Sequence, residues 1–256
     1  MKHTEPTPLL WHYGAAAGTR TYVLAPFAGG SAYSMGDWPA QLLRAGESAL
    51  VLQYPGRGPR AAEAPPTSID ELAAEAGREI ERHSTGPVVI VGHSLGGVLG
   101  HALALHLEHA GREVELLVAS AARAPSAPRV DAGQVLAMSD AQWLQEITRY
   151  SPLDPELLLD PAVLDLIVPV LRADYLMLAR HVPGRLPLSC PLLAIGGADD
   201  AWVDAGHLET WSECTTAGLI TRTLPGGHFY FRDGLTRVTE LIHTVLDGDR
   251  ARKEFR

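Results

Sequence analysis

Short β-rich segments alternate with helical patterns along this chain of 256 residues. Most of these segments are continuously apolar, which is typical of strands that are covered on both faces in a largely parallel sheet. The alternation predicts an α/β fold of the doubly wound class, in which helices flank the sheet and functional residues lie at the carboxyl ends of the strands. The predicted strands span residues 21–25, 49–54, 88–91, 116–120, 192–195 and 219–224.

Three helical patterns lie between or after these strands. Ser68 and Glu71 have the spacing of a capping box ahead of an apolar stripe at i, i+3 and i+4. A second helix is expected over residues 95–110, because Gly111 is typical of the position that follows a helix. The third pattern places apolar residues between positions 235 and 245 on one face. All three patterns agree with helices that cover a central sheet.

The interval of residues 121–191 is much longer than the dozen or so residues that a parallel crossover needs. It contains helical patterns at residues 135–150, 155–160 and 163–181, which prolines interrupt. We interpret this interval as a mostly helical insertion that forms a lid over the active site. Because no repeat or linker divides the chain, we expect residues 1–256 to form a single domain that contains the lid.

Charge and cysteine content exclude several classes of function. The chain carries 30 acidic and 21 basic residues, a net charge of -9, so it lacks the positive field that holds a nucleic-acid backbone. Cys190 and Cys214 are too few for a disulfide framework or a metal cage. The N-terminus has no apolar run long enough for a signal sequence or a membrane span. We therefore expect a soluble, cytoplasmic protein that binds no metal, nucleic acid or membrane.

Residues 92–96 read Gly-His-Ser-Leu-Gly, directly after one predicted strand and directly before a helix. This G-x-S-x-G pattern is that of a nucleophile elbow, in which a sharp turn lifts the serine hydroxyl above the sheet. Glycines two residues before and two residues after Ser94 remove side chains that would collide in such a turn. The start of the following helix also favours negative charge that develops near Ser94. Ser94 is therefore the predicted nucleophile.

A serine hydroxyl is a weak nucleophile and needs a general base that a carboxylate orients. His228 follows the last predicted strand in a Gly-Gly-His sequence and is the predicted base. Asp200 follows the preceding strand in a Gly-Gly-Ala-Asp-Asp sequence and is the predicted acid, with Asp199 as the alternative. One of the two aspartates would then serve only to turn the loop or to cap a helix.

An oxyanion hole in such a site takes one N–H from the residue after the nucleophile, here Leu95. The second N–H is expected from the glycine-rich loop of residues 26–31, at Ala28 or at Phe27. Glycines in this loop allow the backbone to approach a ligand closely. The alternative is an ordinary β-turn without a role in binding.

Five segments, which together span nearly the whole chain, carry a family resemblance. They read PFAGGSA at residues 26–32, QYPGRGPR at 53–60, GHSLGG at 92–97, LRADY at 171–175 and PGGHFYF at 225–231. In this order they resemble the type II thioesterases that accompany polyketide and nonribosomal peptide synthetases, a family within the α/β-hydrolases. LRADY discriminates best, because ordinary esterases share the elbow but not this segment. One departure is Gly58, where the family usually has glutamate.

The resemblance implies an α/β-hydrolase fold, a mostly parallel central sheet flanked by helices with a helical lid, and it matches Ser94, Asp200 and His228 to a catalytic triad. It also implies hydrolysis of acyl thioesters on the phosphopantetheine arm of carrier proteins, which clears stalled or misprimed chains from a synthase. The expected partners are therefore phosphopantetheinylated acyl or peptidyl carrier domains. No cofactor is required, and we expect a monomer.

The acyl chain is expected to lie against Phe27 and against apolar residues of the lid. The candidate wall residues in the lid are Met138, Trp143, Leu176 and Met177. An apolar stripe on a helix is also compatible with a packing role. An acidic carrier needs a basic docking patch, and the candidates are Arg57, Arg60, Arg172, Arg180 and Arg185. Solvated surface arginines are the alternative.

Two other functions remain open on the sequence. Carboxylesterases and lipases use the same triad on oxygen esters. A hydrolase fold can also serve in binding without turnover, although an apparently complete triad argues against that function.

Overall fold

The computed structural model describes residues 2–127, 131–150, 160–184 and 187–254. Eight strands form one sheet: β1 (Thr4–Thr7), β2 (Leu10–Gly14), β3 (Thr21–Ala25), β4 (Ser48–Leu52), β5 (Val88–His93), β6 (Val114–Ser120), β7 (Leu192–Gly197) and β8 (Leu219–Leu224). Their order across the sheet is β1-β2-β4-β3-β5-β6-β7-β8. Every neighbouring pair from β4 to β8 is parallel, whereas β1 and β2 join antiparallel. The predicted fold class is thereby confirmed.

Helices cover both faces of the sheet. The helices that precede β6 in the chain are α1 (Trp38–Leu42), α2 (Ile69–His83) and α3 (Leu95–His109). Between β6 and β7 lie α4 (Ala132–Ala137), α5 (Asp140–Tyr150) and α6 (Pro161–Arg180), and after β7 come α7 (Ala205–Glu209) and α8 (Phe231–Glu254). One core cluster contains α2, α3 and α7, and the cluster on the opposite face contains α1 and α8.

Alternate residues of β3 show why the inner strands of the sheet are mostly apolar. Val23 and Ala25 pack into the cluster with α2 and α3, whereas Tyr22 and Leu24 pack into the cluster with α1 and α8. All four side chains are fully buried. Because successive side chains of a strand point to opposite faces, a sheet that is covered on both sides needs apolar residues at every position.

β1 and β2, which lie together at one side of the sheet, were not predicted from the sequence. β1 is a polar, largely exposed strand that contains Pro6, which an edge position tolerates because its missing N–H faces no partner. Neither strand has the continuous apolar run that burial on both faces requires. The six strands that were predicted are all present, and their ends differ from the predicted ends by two residues at most.

Local capping explains where several helices begin. Ser68 Oγ accepts a hydrogen bond from the amide of Glu71 at 3.3 Å and begins α2, as the sequence predicts. The pattern predicted over residues 135–150 is two helices, because the chain is extended at Met138 between α4 and α5. Asp160 Oδ1 accepts from the amide of Ala162 and begins α6. Most of the pattern predicted at residues 155–160 lies outside the described residues.

A buried charge cluster joins three strands at the amino ends of the parallel sheet. The Arg20 guanidinium donates to both carboxylate oxygens of Glu115 at 2.7 Å and to Glu47 at 2.9 Å. The Arg20 side chain is fully buried, and both carboxylates are almost fully buried. Such a cluster is tolerated because each charge has short, directed partners that replace water.

Candidate active site

Ser94 lies on a sharp turn between β5 and α3, with backbone angles of φ 55° and ψ -116°. A positive φ is unfavourable for a residue with a side chain, so the surrounding structure must hold the turn in place. A Cβ on Gly92 would collide with the carbonyl of Gly96, and a Cβ on Gly96 would collide with the carbonyl of Ala25. The Ser94 amide donates to the carbonyl oxygen of Ser120 at 2.8 Å, which ties the turn to β6.

Asp200 and His228 meet although they follow different strands, β7 and β8. Asp200 Oδ2 lies 2.8 Å from His228 Nδ1, and the Asp200 side chain is fully buried. Its other oxygen, Oδ1, accepts hydrogen bonds from the amides of Trp202 at 2.8 Å and Val203 at 3.3 Å. The side chain of Asp199 is exposed instead. The structure therefore brings Asp200, and not its neighbour, to the histidine.

A cavity of about 140 Å³ lies at the carboxyl ends of the strands. It is lined by residues from six parts of the chain: Ala28, Ser94, Leu95, Val98, Ala121, Ala122, Arg123, Tyr175, Leu178, Ala179, Trp202, Val203 and His228. Ser94 and His228 thus face one small, mostly apolar space, with Asp200 directly behind the imidazole. This arrangement suits a buried acyl group next to a nucleophile and a base.

The two residues predicted to supply oxyanion-hole amides, Ala28 and Leu95, line the same cavity as Ser94. Leu95 is the first residue of α3, where the N–H has no acceptor within the helix. Ala28 lies in the loop after β3 and also lines the cavity. Neither amide donates a hydrogen bond to another residue in the described part of the chain. Phe27, the alternative donor, is buried with its ring against His93 and Phe229.

Helix α6 presents one face to the cavity. Tyr175, Leu178 and Ala179 line it, at the i, i+3 and i+4 spacing of a single helical face. The predicted wall residues Leu176 and Met177 lie on other faces of α6 and do not line the cavity. Helical periodicity counted onward from Tyr175, the last residue of LRADY, would have selected the side chains that line the cavity.

The other predicted wall residues take part in packing. Trp143 is fully buried in a small cluster between α4, α5 and α6, where its ring lies edge-on to Tyr175 at 5.3 Å. Met138 packs against the same cluster, as does Leu176. Met177 belongs to the main core instead. None of these side chains lines the cavity, and neither does Phe27.

His93, the residue before Ser94, forms a buried polar chain beneath the site. Its Nδ1 lies 2.9 Å from Ser120 Oγ, which in turn lies 2.6 Å from the hydroxyl of Tyr230. Burial, together with the nearby imidazole of His228, lowers the pKa of His93 well below its ordinary value. His93 therefore stays neutral at neutral pH and places no second cation beside His228. In the sequence, His93 is recognisable only as a variable position of the elbow motif.

The predicted basic docking patch is wrong for two of its members. Arg57 and Arg60 are buried, and their guanidinium groups pair with Asp174 and Glu63. A buried, paired guanidinium offers no charge to a docking partner. Arg180 is exposed, Arg172 is partly exposed, and Arg185 lies outside the described residues.

The residues that the structure describes include neither a metal-binding cluster nor a helix that could span a membrane. No group of three or more His, Cys, Asp or Glu side chains there is arranged to hold a metal ion. No helix in the same ranges is long and apolar enough to cross a bilayer.

Comparison with protein families gives a match over most of the chain. A family model described as a thioesterase domain matches residues 20–246. Among curated proteins, the chain is 32% identical to the thioesterase TesA of Mycobacterium marinum, over 87% of this chain and 89% of that protein. It is also 32% identical to the phenyloxazoline synthase MbtB of Mycobacterium tuberculosis, over 85% of this chain. The chain spans only 15% of the length of MbtB.

A solved structure is similar over almost its whole length. The type II thioesterase BorB from the borrelidin biosynthetic cluster matches with a TM-score of 0.83 and 32% identity. The match covers 95% of this chain and 99% of BorB.

Proposed function

This chain belongs to the thioesterase-domain family, and we propose that it hydrolyses acyl thioesters with Ser94 as nucleophile, His228 as general base and Asp200 as the orienting acid. The observation that supports this most strongly is the cavity itself. A serine on a strained elbow and an imidazole held by a buried carboxylate border one apolar space. Ala28 and Leu95 also line it, and their amides donate to no residue that the structure describes.

In the acylation step, His228 takes the proton of Ser94 as the hydroxyl oxygen attacks the thioester carbonyl carbon. The amides of Ala28 and Leu95 stabilise the negative charge on the carbonyl oxygen of the tetrahedral intermediate. The carbon–sulfur bond then breaks, His228 returns the proton to sulfur, and the thiol leaves. A thiol with an ordinary pKa near 8.5 is a much better leaving group than an alcohol.

In the deacylation step, water replaces the thiol. His228 removes a proton from the water as it attacks the acyl-serine, and then protonates Ser94 Oγ so that the free acid leaves. Asp200 accepts from His228 Nδ1 throughout, which fixes the tautomer and stabilises the imidazolium. The two amides of Trp202 and Val203 hold the Asp200 carboxylate in place for this task.

The proposed substrate is an acyl group on the phosphopantetheine arm of a carrier protein. The support is the similarity to BorB, which is a type II thioesterase from a biosynthetic cluster. The small cavity limits the acyl group that fits beside Ser94. We assign residues 121–191 a lid role, because the face of α6 with Tyr175, Leu178 and Ala179 forms one wall of this cavity.

The test compares thioesters with matched oxygen esters. Hydrolysis of acyl-pantetheine and of the corresponding oxygen ester is measured for the wild type and for Ser94→Ala. We expect turnover of the thioester that Ser94→Ala abolishes, and covalent labelling of Ser94 by a fluorophosphonate probe. Hydrolysis of the oxygen ester alone would assign an esterase instead. No labelling and no hydrolysis would assign a binding role without catalysis.

A further inference from the structure

Three segments of the chain meet at one buried carboxylate, Asp174, on α6. Arg57 donates to it with both terminal nitrogens, Nη1 to Oδ2 at 2.6 Å and Nη2 to Oδ1 at 2.8 Å. The amide of Gly29 donates to the same Oδ2 at 2.7 Å. Asp174 is fully buried, and only 5% of the Arg57 side chain is exposed. The contact therefore joins the helix that borders the cavity to the loop after β3 and to the loop after β4.

Gly29 directly follows Ala28, which lines the cavity together with Ser94. Gly29 has a φ of +75°, and a Cβ there would lie 2.8 Å from Cδ2 of Leu171. Leu171 and Asp174 are three residues apart and so share a face of α6. This face packs directly onto the peptide after Ala28, which leaves that peptide little freedom to rotate.

The other end of the same loop is held by the segment after β4. The hydroxyl of Tyr54 donates to the carbonyl oxygen of Pro26 at 2.9 Å. Gln53 Oε1 accepts from the amide of Ala32 at 3.0 Å, and its Nε2 donates to the carbonyl oxygen of Arg57 at 2.9 Å. In the middle of the loop, the amide of Gly30 donates to the carbonyl oxygen of Phe27 at 2.9 Å and closes a turn around Ala28 and Gly29. Asp174 is the side chain that binds this turn, through the amide of Gly29.

We propose that Asp174 is a positioning residue for the oxyanion hole: held by Arg57, its carboxylate binds the Gly29 amide and thereby aims the neighbouring Ala28 amide at the reacting carbonyl oxygen. The inference rests on the proposed function. It also gives the LRADY and QYPGRGPR segments a common role, since LRADY supplies the carboxylate of Asp174 and QYPGRGPR supplies the guanidinium of Arg57. Packing of α6 against the loop after β3 is then coupled to the orientation of the Ala28 amide.

The main test is Asp174→Asn, which keeps the shape of the side chain but removes its charge. Loss of an oxyanion donor typically lowers kcat about 10²- to 10³-fold, so a misaimed donor should lower kcat about 10- to 100-fold. KM for acyl-pantetheine should change by less than about threefold, because the ground-state contacts remain. The rate of Ser94 labelling by a fluorophosphonate should fall in parallel with kcat, since the tetrahedral adduct uses the same two amides.

The matched control is Glu115→Gln in the buried cluster of Arg20, at the opposite end of the sheet. It removes a carboxylate charge from an equally buried, bidentate arginine pair that is remote from the cavity. All assays are run at a temperature at which thermal melts show every variant folded. We expect Glu115→Gln to lose thermal stability while kcat and the labelling rate stay within about twofold of the wild type.

A milder pair of variants covers the case in which Asp174→Asn does not fold. Arg57→Lys keeps the positive charge and removes the bidentate contact, and Arg20→Lys is its control. Arg57→Lys should lower kcat and the labelling rate, and Arg20→Lys should not.

Each outcome decides a different claim. The inference is overturned if Asp174→Asn, or Arg57→Lys where the former is unfolded, retains the kcat and labelling rate of the wild type. It is equally overturned if the remote control loses as much, because the effect is then general destabilisation. If wild-type enzyme neither hydrolyses acyl-pantetheine nor labels at Ser94, the proposed function itself fails and this inference fails with it.

Discussion

The carboxylate of Asp200 contacts the imidazole of His228 at 2.8 Å, although 28 residues separate them in the chain. Both lie on loops at the carboxyl end of the parallel sheet, after β7 and β8. In such sheets, the loops at this edge converge, so residues that are distant in sequence can form one site. The contact distinguishes Asp200 from the exposed Asp199 beside it.

Substitution of the two aspartates tests this assignment. Asp200→Asn should lower kcat about 10³- to 10⁴-fold, because an amide at this position favours the wrong tautomer of His228. Asp199→Asn, the matched control, should stay within about twofold of the wild type. The measurement is kcat for acyl-pantetheine hydrolysis with both variants shown to be folded. A severe loss in Asp199→Asn alone would move the acid to that residue.

The close packing of the glycines around Ser94 should make the stability of the protein sensitive to their substitution. Gly96→Ala should lower the free energy of unfolding by about 3 kcal/mol or more, because the new Cβ would collide with the backbone carbonyl of Ala25. Gly248→Ala on the exposed face of α8 meets no atom within 4 Å and should stabilise by up to about 1 kcal/mol through helix propensity. Urea unfolding of both variants checks the difference. Equal stabilities would mean that the elbow is looser than the structure indicates.

His101 on α3 gives a pH dependence of stability. Burial, together with nearby His181, lowers its pKa to about 4 from an ordinary 6.5. Between these two values the unfolded chain binds a proton that the folded chain does not, so stability falls as pH decreases through this window. From pH 7 to pH 5, His101 should account for about 2 kcal/mol of the lost free energy of unfolding.

The measurement is urea unfolding of the wild type and His101→Gln at both pH values. The variant should lose about 2 kcal/mol less than the wild type over this interval. An identical loss in both proteins would show that His101 titrates normally in the folded state.

The wall formed by α6 predicts a change in acyl preference. Ala179→Leu adds three carbons inside the cavity and should lower kcat/KM for a hexanoyl thioester about tenfold or more, relative to an acetyl thioester. Ala162→Leu makes the same change at an exposed position of the same helix and should leave the ratio unchanged. An unchanged ratio in Ala179→Leu would mean that the acyl chain lies elsewhere.

Strong local signals explain what the sequence predicts well. Continuous apolar runs identify most of the predicted strands, because burial on both faces favours apolar residues. The edge strand β8 is the exception, since it is only partly buried and includes polar residues. The turn at Ser94 is recognisable because its glycines sit where any Cβ would collide with backbone. In the loop after β7, the sequence predicts Asp200 as the acid with Asp199 as the alternative, and the fold shows that Asp200 contacts His228.

Features that depend on tertiary contacts could not be predicted from the sequence. Arg57 is charged, like most surface residues. The sequence does not show that it is buried against Asp174, which lies 117 residues later. The wall of the cavity depends on how α6 is rotated about its axis, so Leu176 and Tyr175 cannot be distinguished from hydrophobicity alone. β1 is a short edge strand and β2 lies directly beside it, and neither has a pattern of burial on both faces.

The most direct test of the central claim is release of an acyl group from a phosphopantetheinylated carrier protein, followed by mass spectrometry of the carrier. The account predicts that the wild type returns the carrier to its free-thiol form and liberates the acid. Ser94→Ala should slow this at least about 10³-fold while remaining folded. A carrier that stays acylated with the wild type, or that is cleared equally fast by Ser94→Ala, would contradict the account.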